Sequence, residues 1–251
     1  MELTVLGSGT CDITRNRSMS CYHVEINGRR CLLDIGAGAI RRILEADLEI
    51  GLIEAIFISH HHIDHIADLV PFLWATKYAP GTNRTMPLDI YGPPGTMKWY
   101  KALAQAHGGW MNKMPFRLTV HDVVSKEWSW QGVRVQTMPM YHGIPANGYR
   151  FEFEGKSLVY TGDTGPGENV VTLSRCADLL IIECALPDGQ SSINTHLTPL
   201  QVDTIVKQSK PKRVLLTHIY PECERAGLSA LCDTLFDGNA EIAEDLKRFL
   251  I

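Results

Sequence analysis

The chain has 251 residues and a formal net charge of −4 with histidine neutral, a balance that argues against a large basic surface for nucleic acid. No apolar run reaches the roughly 18 residues of a membrane span, and the first residues lack the features of a signal peptide. The seven cysteines are odd in number and form no CxxC pair, so we expect reduced thiols in a cytoplasmic protein.

Short strands and helices are predicted to alternate through the first half of the chain. Short apolar runs between glycine-containing turns indicate strands, and longer amphipathic runs indicate helices. The predicted strands cover residues 3–6, 22–26, 31–33, 55–59 and 88–91. The predicted helices cover residues 39–46, residues 64–78 with an interruption at Pro71, and residues from the turn at 92–95 to about 107.

The same alternation continues through the second half. Strands are predicted at 116–121, 133–140, 151–153, 157–160, 179–182 and 213–216, and a helix at 199–208. The tail after residue 218 suits a helix by propensity, although its short apolar pattern also fits paired strands. No linker, repeat or low-complexity segment divides the sequence. We therefore expect a single domain over residues 1–251.

The densest cluster of potential metal ligands directly follows the predicted strand at 55–59. Residues 60–65 read His-His-His-Ile-Asp-His, which places four histidines and one carboxylate within six positions. Imidazole and carboxylate groups suit zinc and similar transition metals. Buried without a metal, these groups would repel one another or lack hydrogen-bond partners. The loop therefore predicts a metal site.

Other predicted strands also end near groups that can bind a metal. The strand at 133–140 precedes His142, the strand at 157–160 precedes Asp163, and the strand at 213–216 precedes His218. In open α/β sheets, ligands gather outside the carboxyl ends of the strands. We therefore expect one edge of the fold to bring together His60, His62, Asp64, His65, His142, Asp163 and His218.

These seven residues can be divided between two metal ions. The first ion would be bound by His60, His62 and His142. The second ion would be bound by Asp64, His65 and His218. Asp163 can bridge the two ions because a carboxylate has two oxygens. Each ion then keeps an open position, and two ions roughly 3.5–4 Å apart can hold a nucleophilic hydroxide between them. Asp64 can also orient that hydroxide, which makes it a candidate catalytic residue.

The motif His60-x-His62-x-Asp64-His65 resembles the HxHxDH signature of the metallo-β-lactamase superfamily. His142, Asp163 and His218 follow in the order and spacing of that family's later metal motifs, so the resemblance spans nearly the whole chain. It implies an α+β fold, a four-layer αβ/βα sandwich, with a binuclear metal site at one edge. Zinc is the favoured metal, with manganese or iron as alternatives.

Finer features resemble the ribonuclease Z branch of that superfamily. They comprise residues 6–10, residues 15–18, residues 33–38, and Gly148-Tyr149 after His142. Glu183, followed by His196-Leu197-Thr198, resembles the glutamate and the HxT histidine of that branch. The resemblance implies that His196 assists phosphodiester cleavage at the leaving oxygen and that Glu183 orients the His196 ring.

One feature of that branch is missing from the sequence. In bacterial ribonuclease Z, a long arm that grips tRNA lies between the histidine matched by His142 and the aspartate matched by Asp163. Only twenty residues separate these two positions here, and a predicted hairpin around Glu154 and Gly155 accounts for most of them. We therefore expect that tRNA is not the substrate.

The leading hypothesis is a binuclear metal-dependent hydrolase, a phosphodiesterase that cleaves a small or cyclic phosphodiester through a metal-bridging hydroxide. The same site would also suit a lactone, a thioester or a sulfate ester, because this fold supports several hydrolytic reactions. Ribonuclease Z-type RNA processing and an iron oxidoreductase are the less favoured alternatives. No membrane partner is expected, and the resemblance allows a homodimer.

Overall fold

The structure, a computed structural model, describes residues 1–81, 84–189 and 194–251. The strands are β1 (Glu2–Gly7), β2 (Cys21–Ile26), β3 (Arg29–Leu33), β4 (Ala55–Phe57), β5 (Leu88–Gly92), β6 (Leu118–Asp122), β7 (Glu127–Trp130), β8 (Val133–Pro139), β9 (Asn147–Phe153), β10 (Lys156–Tyr160), β11 (Leu179–Glu183), β12 (Val214–Thr217), β13 (Ala240–Ile242) and β14 (Arg248–Leu250). The α-helices are α1 (Ala39–Glu45), α2 (Ile63–Ile66), α3 (Leu69–Tyr78), α4 (Thr96–Ala106), α5 (Glu168–Ser174), α6 (Pro199–Ser209), α7 (Pro221–Arg225) and α8 (Leu228–Cys232).

These strands form two seven-stranded sheets. The first has the order β14-β1-β2-β3-β4-β5-β6, and the second has the order β13-β12-β11-β10-β9-β8-β7. In the first sheet β3 to β6 are parallel, while β14, β1, β2 and β3 pair antiparallel. In the second sheet β10 to β13 are parallel, while β7 to β10 pair antiparallel. Each sheet therefore combines a parallel half with an antiparallel half.

The sheets pack face to face and carry helices on their outer faces. Tyr22 of β2 and Phe151 of β9 are fully buried in the core between the sheets. Ile56 of β4 lies on the other face of the first sheet, where it packs with apolar residues of α1, α3 and α4. Ile182 of β11 packs with α5 and α6 on the outer face of the second sheet. This arrangement confirms the predicted α+β four-layer sandwich, while the single domain remains a prediction.

The parallel strands place the predicted site residues at a shared edge. β11 ends at Glu183, and β12 ends at Thr217, directly before His218. β8 runs in the same direction as β10 because both are antiparallel to β9, so His142 follows at the same edge. The strand-end pattern in the sequence therefore corresponds to real spatial neighbours.

The helix predicted over 64–78 is two helices, α2 and α3, and the break comes before Pro71. Ile35 donates its backbone N–H to the carbonyl of His65 at 2.8 Å and accepts the N–H of Asp68 at 3.0 Å. These two bonds to a neighbouring strand end replace the helical pattern between α2 and α3. Pro71 lies in the first turn of α3, where an amide has no helical acceptor, so the proline is tolerated there.

The tail after residue 218 contains both of the alternatives that its sequence allows. α7 and α8 are short helices, whereas β13 and β14 are edge strands of the two sheets.

Two further elements, β7 and α5, were not expected from the sequence. Both are short, four and seven residues, so their periodic patterns span too few positions to be distinctive.

Candidate metal centre

The first predicted ligand group is assembled around His62. Nδ1 of His62 lies 3.0 Å from Nε2 of His60 and 3.1 Å from Nε2 of His142. Oδ2 of Asp163 lies 3.6 Å from Nε2 of His60. The four residues each offer one ligand atom, and these atoms all lie within 4.8 Å of one another. Three imidazoles and one carboxylate thus face a common point.

The second predicted group lies beside the first and shares Asp163 with it. Nε2 of His218 lies 3.3 Å from Oδ2 of Asp64 and 3.4 Å from Oδ2 of Asp163. Nε2 of His65 lies 3.3 Å from Oδ1 of Asp163. The Asp163 carboxylate therefore stands between the two groups, with one oxygen close to His65 and the other close to His60 and His218. This is the position that a bridging carboxylate requires.

The ligand atoms fit a bound metal. Among the described residues, Nε2 of His65 and Oδ1 of Asp163 are buried without a hydrogen-bond partner. Leaving a buried polar atom unpaired costs roughly 1–3 kcal/mol, so both atoms favour a cation between them. Imidazole nitrogens with carboxylate oxygens are also a donor set that zinc, manganese and iron accept.

The protonation states of His60 and Asp163 also suit metal binding. Burial and the neighbouring His65 lower the pKa of His60 well below its usual range, which keeps that imidazole neutral. Burial opposes ionisation of Asp163, but His218, His65 and His60 outweigh it and hold the carboxyl pKa well below its usual range. Neutral imidazole and ionised carboxylate are the forms that bind metals.

Asp34 supports the centre through hydrogen bonds, although the sequence did not identify it as a site residue. It is fully buried, and Oδ2 accepts hydrogen bonds from Nδ1 of His65 at 2.7 Å and from the hydroxyl of Tyr160 at 2.5 Å. The backbone N–H of Ser59 donates to Oδ1 at 2.6 Å, and the Ser59 hydroxyl donates to Oδ2 at 2.7 Å. A carboxylate that accepts a hydrogen bond from the N–H of one ring nitrogen fixes the tautomer and aims the other nitrogen at the metal.

The signal that could have identified Asp34 is its place in the chain. It directly follows β3, which runs parallel to β4, so the strand-end rule applied to the other ligands applies here as well. Its backbone φ of 56° is left-handed, a conformation that aspartate tolerates better than most residues.

His196 and Glu183 form a second carboxylate–imidazole pair beside the cluster. Nδ1 of His196 lies 3.2 Å from each oxygen of Glu183. Glu183 is buried and also accepts the backbone N–H groups of Thr164 at 2.6 Å and Leu197 at 3.0 Å. Burial alone would lower the pKa of His196, but the hydrogen bond and charge of Glu183 outweigh it and raise that pKa to about 9.

With this four-layer sandwich and this cluster of histidines and carboxylates at the strand ends, the chain falls in the class of metal-dependent hydrolases. The chain belongs to the β-lactamase superfamily, since the family model "Beta-lactamase superfamily domain" matches residues 29–219. The predicted family is therefore confirmed.

Several similar proteins with curated names are ribonucleases. Ribonuclease BN of Cronobacter sakazakii is 28% identical over 98% of this chain and 98% of its own length. Ribonuclease Z of Mycobacterium bovis is 26% identical over 99% of this chain and 97% of its own length. Because these relatives bear ribonuclease names, the expectation that tRNA is not the substrate gains no support from them.

Solved structures share the fold over the whole chain. The metallo-β-lactamase fold protein YhfI from Bacillus subtilis has a TM-score of 0.84 at 22% identity and covers 99% of this chain and 98% of its own. The short form of human tRNase Z has a TM-score of 0.81 at 24% identity, with 100% and 99% coverage. A diphosphatase from the PhnP family has a TM-score of 0.77 at 21% identity, with 100% and 97% coverage.

Helices of the membrane-spanning kind are not found within the described part of the chain, because none there is both long enough and apolar enough to cross a bilayer.

Proposed function

We propose that this hydrolase is a binuclear metal-dependent phosphodiesterase that acts on a small or cyclic phosphodiester. The observation that supports this most is the Glu183–His196 pair, which stands beside the shared carboxylate of Asp163. Nδ1 of His196 lies 3.2 Å from both Glu183 oxygens and 4.0 Å from Oδ2 of Asp163. A histidine held in this way can donate a proton to a leaving alkoxide next to the metals. An ester with a poor leaving group requires such a proton donor.

The proposed metal ligands are the seven residues predicted from the sequence. One divalent ion would be held by His60, His62 and His142. The other would be held by Asp64, His65 and His218. Asp163 would bind both, and zinc is the proposed metal, with manganese or iron as alternatives. When bound, such ions supply Lewis acidity, which lowers the pKa of a bound water to about 7 and stabilises negative charge on phosphoryl oxygens.

The chain's own groups then orient the reactants and move protons. The Asp64 carboxylate accepts a hydrogen bond from the attacking hydroxide and orients it toward the phosphorus, so that the new P–O bond forms as the bond to the leaving oxygen breaks. His196 holds a proton on Nε2 and donates it to the leaving oxygen. Glu183 fixes the ring through Nδ1, and its hydrogen bond and charge favour the protonated imidazole. The amides of Thr164 and Leu197 hold Glu183 in turn, which keeps the pair in one orientation.

A small substrate is favoured by the short connection between two of the proposed ligands. From His142 to Asp163 the chain makes the hairpin of β9 and β10, whose strands pair from Lys156 and Phe153 to Tyr160 and Tyr149. The net charge of −4 also disfavours tight binding of a long polyanion. RNA processing is the second candidate, because curated relatives of this chain include proteins named ribonuclease Z and ribonuclease BN.

One preparation assayed against a substrate panel tests the proposal. The panel contains bis-p-nitrophenyl phosphate, a 2′,3′-cyclic nucleotide, a precursor tRNA, a lactone, a thioester and a sulfate ester, each with zinc or manganese. We expect metal-dependent turnover of the two small phosphodiesters. Absence of that turnover while elemental analysis shows both metals bound would refute the proposal, and cleavage of the precursor tRNA alone would favour RNA processing.

His61 provides a matched control inside the histidine loop. Its Nε2 lies 2.9 Å from the Thr96 hydroxyl and its ring stacks on Trp99 at 5.0 Å, away from the cluster. His62→Ala should therefore reduce both metal content and turnover, whereas His61→Ala should keep both metals. Equal loss of metal in the two variants would contradict the proposed ligand set.

A further inference from the structure

Tyr220 stands beside the proposed metal centre without belonging to the proposed ligand set. Its ring meets the ring of His218 edge-on, with centroids 5.9 Å apart and planes at 84°. Nε2 of His218 in turn lies 3.3 Å from Asp64 and 3.4 Å from Asp163. The phenol is therefore separated from the carboxylates of the centre by a single imidazole ring.

The hydroxyl of Tyr220 has a weak partner in the protein. It lies 3.2 Å from the Sγ atom of Cys11, and Cys11 is exposed. A thiol is a poor hydrogen-bond acceptor and donor compared with oxygen groups. The phenol is thus held near the centre by a contact that a better acceptor can replace.

The backbone position of Tyr220 does not depend on Cys11. Tyr220 directly precedes α7 and has the extended conformation, φ −73° and ψ 146°, that a residue before proline adopts. The loop that carries Cys11 is joined to α7 independently, because Arg17 pairs with Glu224 at 2.6 Å. The Cys11 contact is therefore not needed to anchor either segment.

We propose that Tyr220 is a substrate-binding residue whose hydroxyl exchanges Cys11 for a non-bridging oxygen of the substrate's phosphoryl group. This inference rests on the proposed function and adds to it a second contact with substrate. His196 stacks on His218 at 5.6 Å with planes 9° apart, so His196 and Tyr220 flank the same ring. His196 would donate a proton to the leaving oxygen, and Tyr220 would donate a hydrogen bond to a phosphoryl oxygen. The phosphoryl oxygen carries negative charge and is therefore a stronger acceptor than sulfur.

Two variants separate a substrate contact from a structural one. Tyr220→Phe keeps the ring and removes the hydroxyl, so we expect kcat/KM for bis-p-nitrophenyl phosphate to fall roughly 10- to 100-fold, mainly through KM. Cys11→Ala removes the same hydrogen bond from the other side and should stay within about twofold of the wild type. An unchanged kcat/KM in Tyr220→Phe, or an equal loss in both variants, would overturn the proposal.

A binding measurement tests the same contact without turnover. The metal-loaded protein is treated with iodoacetamide, with and without p-nitrophenyl phosphate, and alkylation of Cys11 is followed by peptide mass spectrometry. Cys176 is also exposed, and it precedes β11 at the opposite end of the parallel strands, so it reports general reactivity. A phosphoryl group bound to the Tyr220 hydroxyl would lie next to Sγ of Cys11 and would block access of iodoacetamide to it. We therefore expect the ligand to protect Cys11 but not Cys176, with roughly 10-fold more ligand needed in Tyr220→Phe.

The two measurements distinguish this inference from the function on which it rests. Tyr220-dependent protection in a protein that hydrolyses no phosphodiester would refute the phosphodiesterase function and retain the phosphoryl contact. Turnover by the wild type without any protection of Cys11 by the ligand would retain the function and overturn the contact.

Discussion

Replacing Asp34 by asparagine should weaken both the fold and the metal site. Asparagine keeps one oxygen for the Ser59 amide, but it turns an NH₂ group toward three donors that now bind Oδ2. These donors are Nδ1 of His65 at 2.7 Å, the Ser59 hydroxyl at 2.7 Å and the Tyr160 hydroxyl at 2.5 Å. The two hydroxyls can rotate, whereas the His65 N–H cannot.

The expected loss of stability follows from the donors that lose their acceptor. A buried donor left without an acceptor costs about 1–3 kcal/mol, and the His65 N–H is the donor that cannot turn away, so we expect Asp34→Asn to lower the free energy of unfolding by about 1–3 kcal/mol. Loss of the carboxylate behind His65 should also weaken zinc binding roughly 10- to 100-fold. Urea unfolding of the metal-free protein measures the first effect, and competition with a chromophoric chelator measures the second.

Asp89 offers a matched control. It holds His121 at 3.1 Å in the same carboxylate–imidazole arrangement, but the pair is partly exposed and lies outside the metal cluster. Asp89→Asn should change the unfolding free energy by less than about 1 kcal/mol and leave zinc affinity unchanged. If Asp34→Asn matched this control in both measurements, the supporting role assigned to Asp34 would be wrong.

Three further perturbations address the centre and its surroundings. Asp64→Ala removes a proposed ligand, so elemental analysis should find at least one metal ion lost and assays should find most activity gone; a fully loaded, active variant would contradict its role. His196→Ala leaves every proposed ligand in place, so metal content should persist while kcat falls roughly 100-fold or more. A full rate would reassign His196 to structure. Gly162 has a φ of +58°, and an added Cβ would lie 2.4 Å from Cβ of Ser59, so Gly162→Ala should cost about 2–4 kcal/mol in urea unfolding, and wild-type stability would refute the clash.

The sequence was sufficient to predict the fold and to predict that the candidate ligands lie close to one another. His142 and His218 lie far from the loop at 60–65 in the chain, yet each follows an apolar run of strand length. Because parallel strands end at a common edge, that local pattern predicted that both histidines approach the loop, and in the structure they lie 3.1 Å from His62 and 3.3 Å from Asp64, respectively. Their roles as ligands remain proposals.

The supporting residues could not be predicted in the same way. Tyr160 reads in the sequence only as the last apolar residue of a strand, and its bond to Asp34 joins positions 126 residues apart. The role inferred for Tyr220 likewise depends on its contact with Cys11, which lies in a loop far away in the chain. Such contacts depend on side-chain direction across two sheets, which hydrophobic periodicity does not encode.

The pairing of β14 with β1 has a consequence for how the chain folds. β1 is bordered by β2 and β14, and Asp245, just before β14, accepts hydrogen bonds from Ser8 and Ser18 at the other end of the sequence. Ser8 and Asp245 are 237 positions apart. The outer edge of the first sheet therefore cannot form on the ribosome until residues 245–250 have emerged. We expect β1 to pair early with β2 but to wait for β14 on its other side, which slows folding and leaves that edge open to chaperones or misassembly during synthesis.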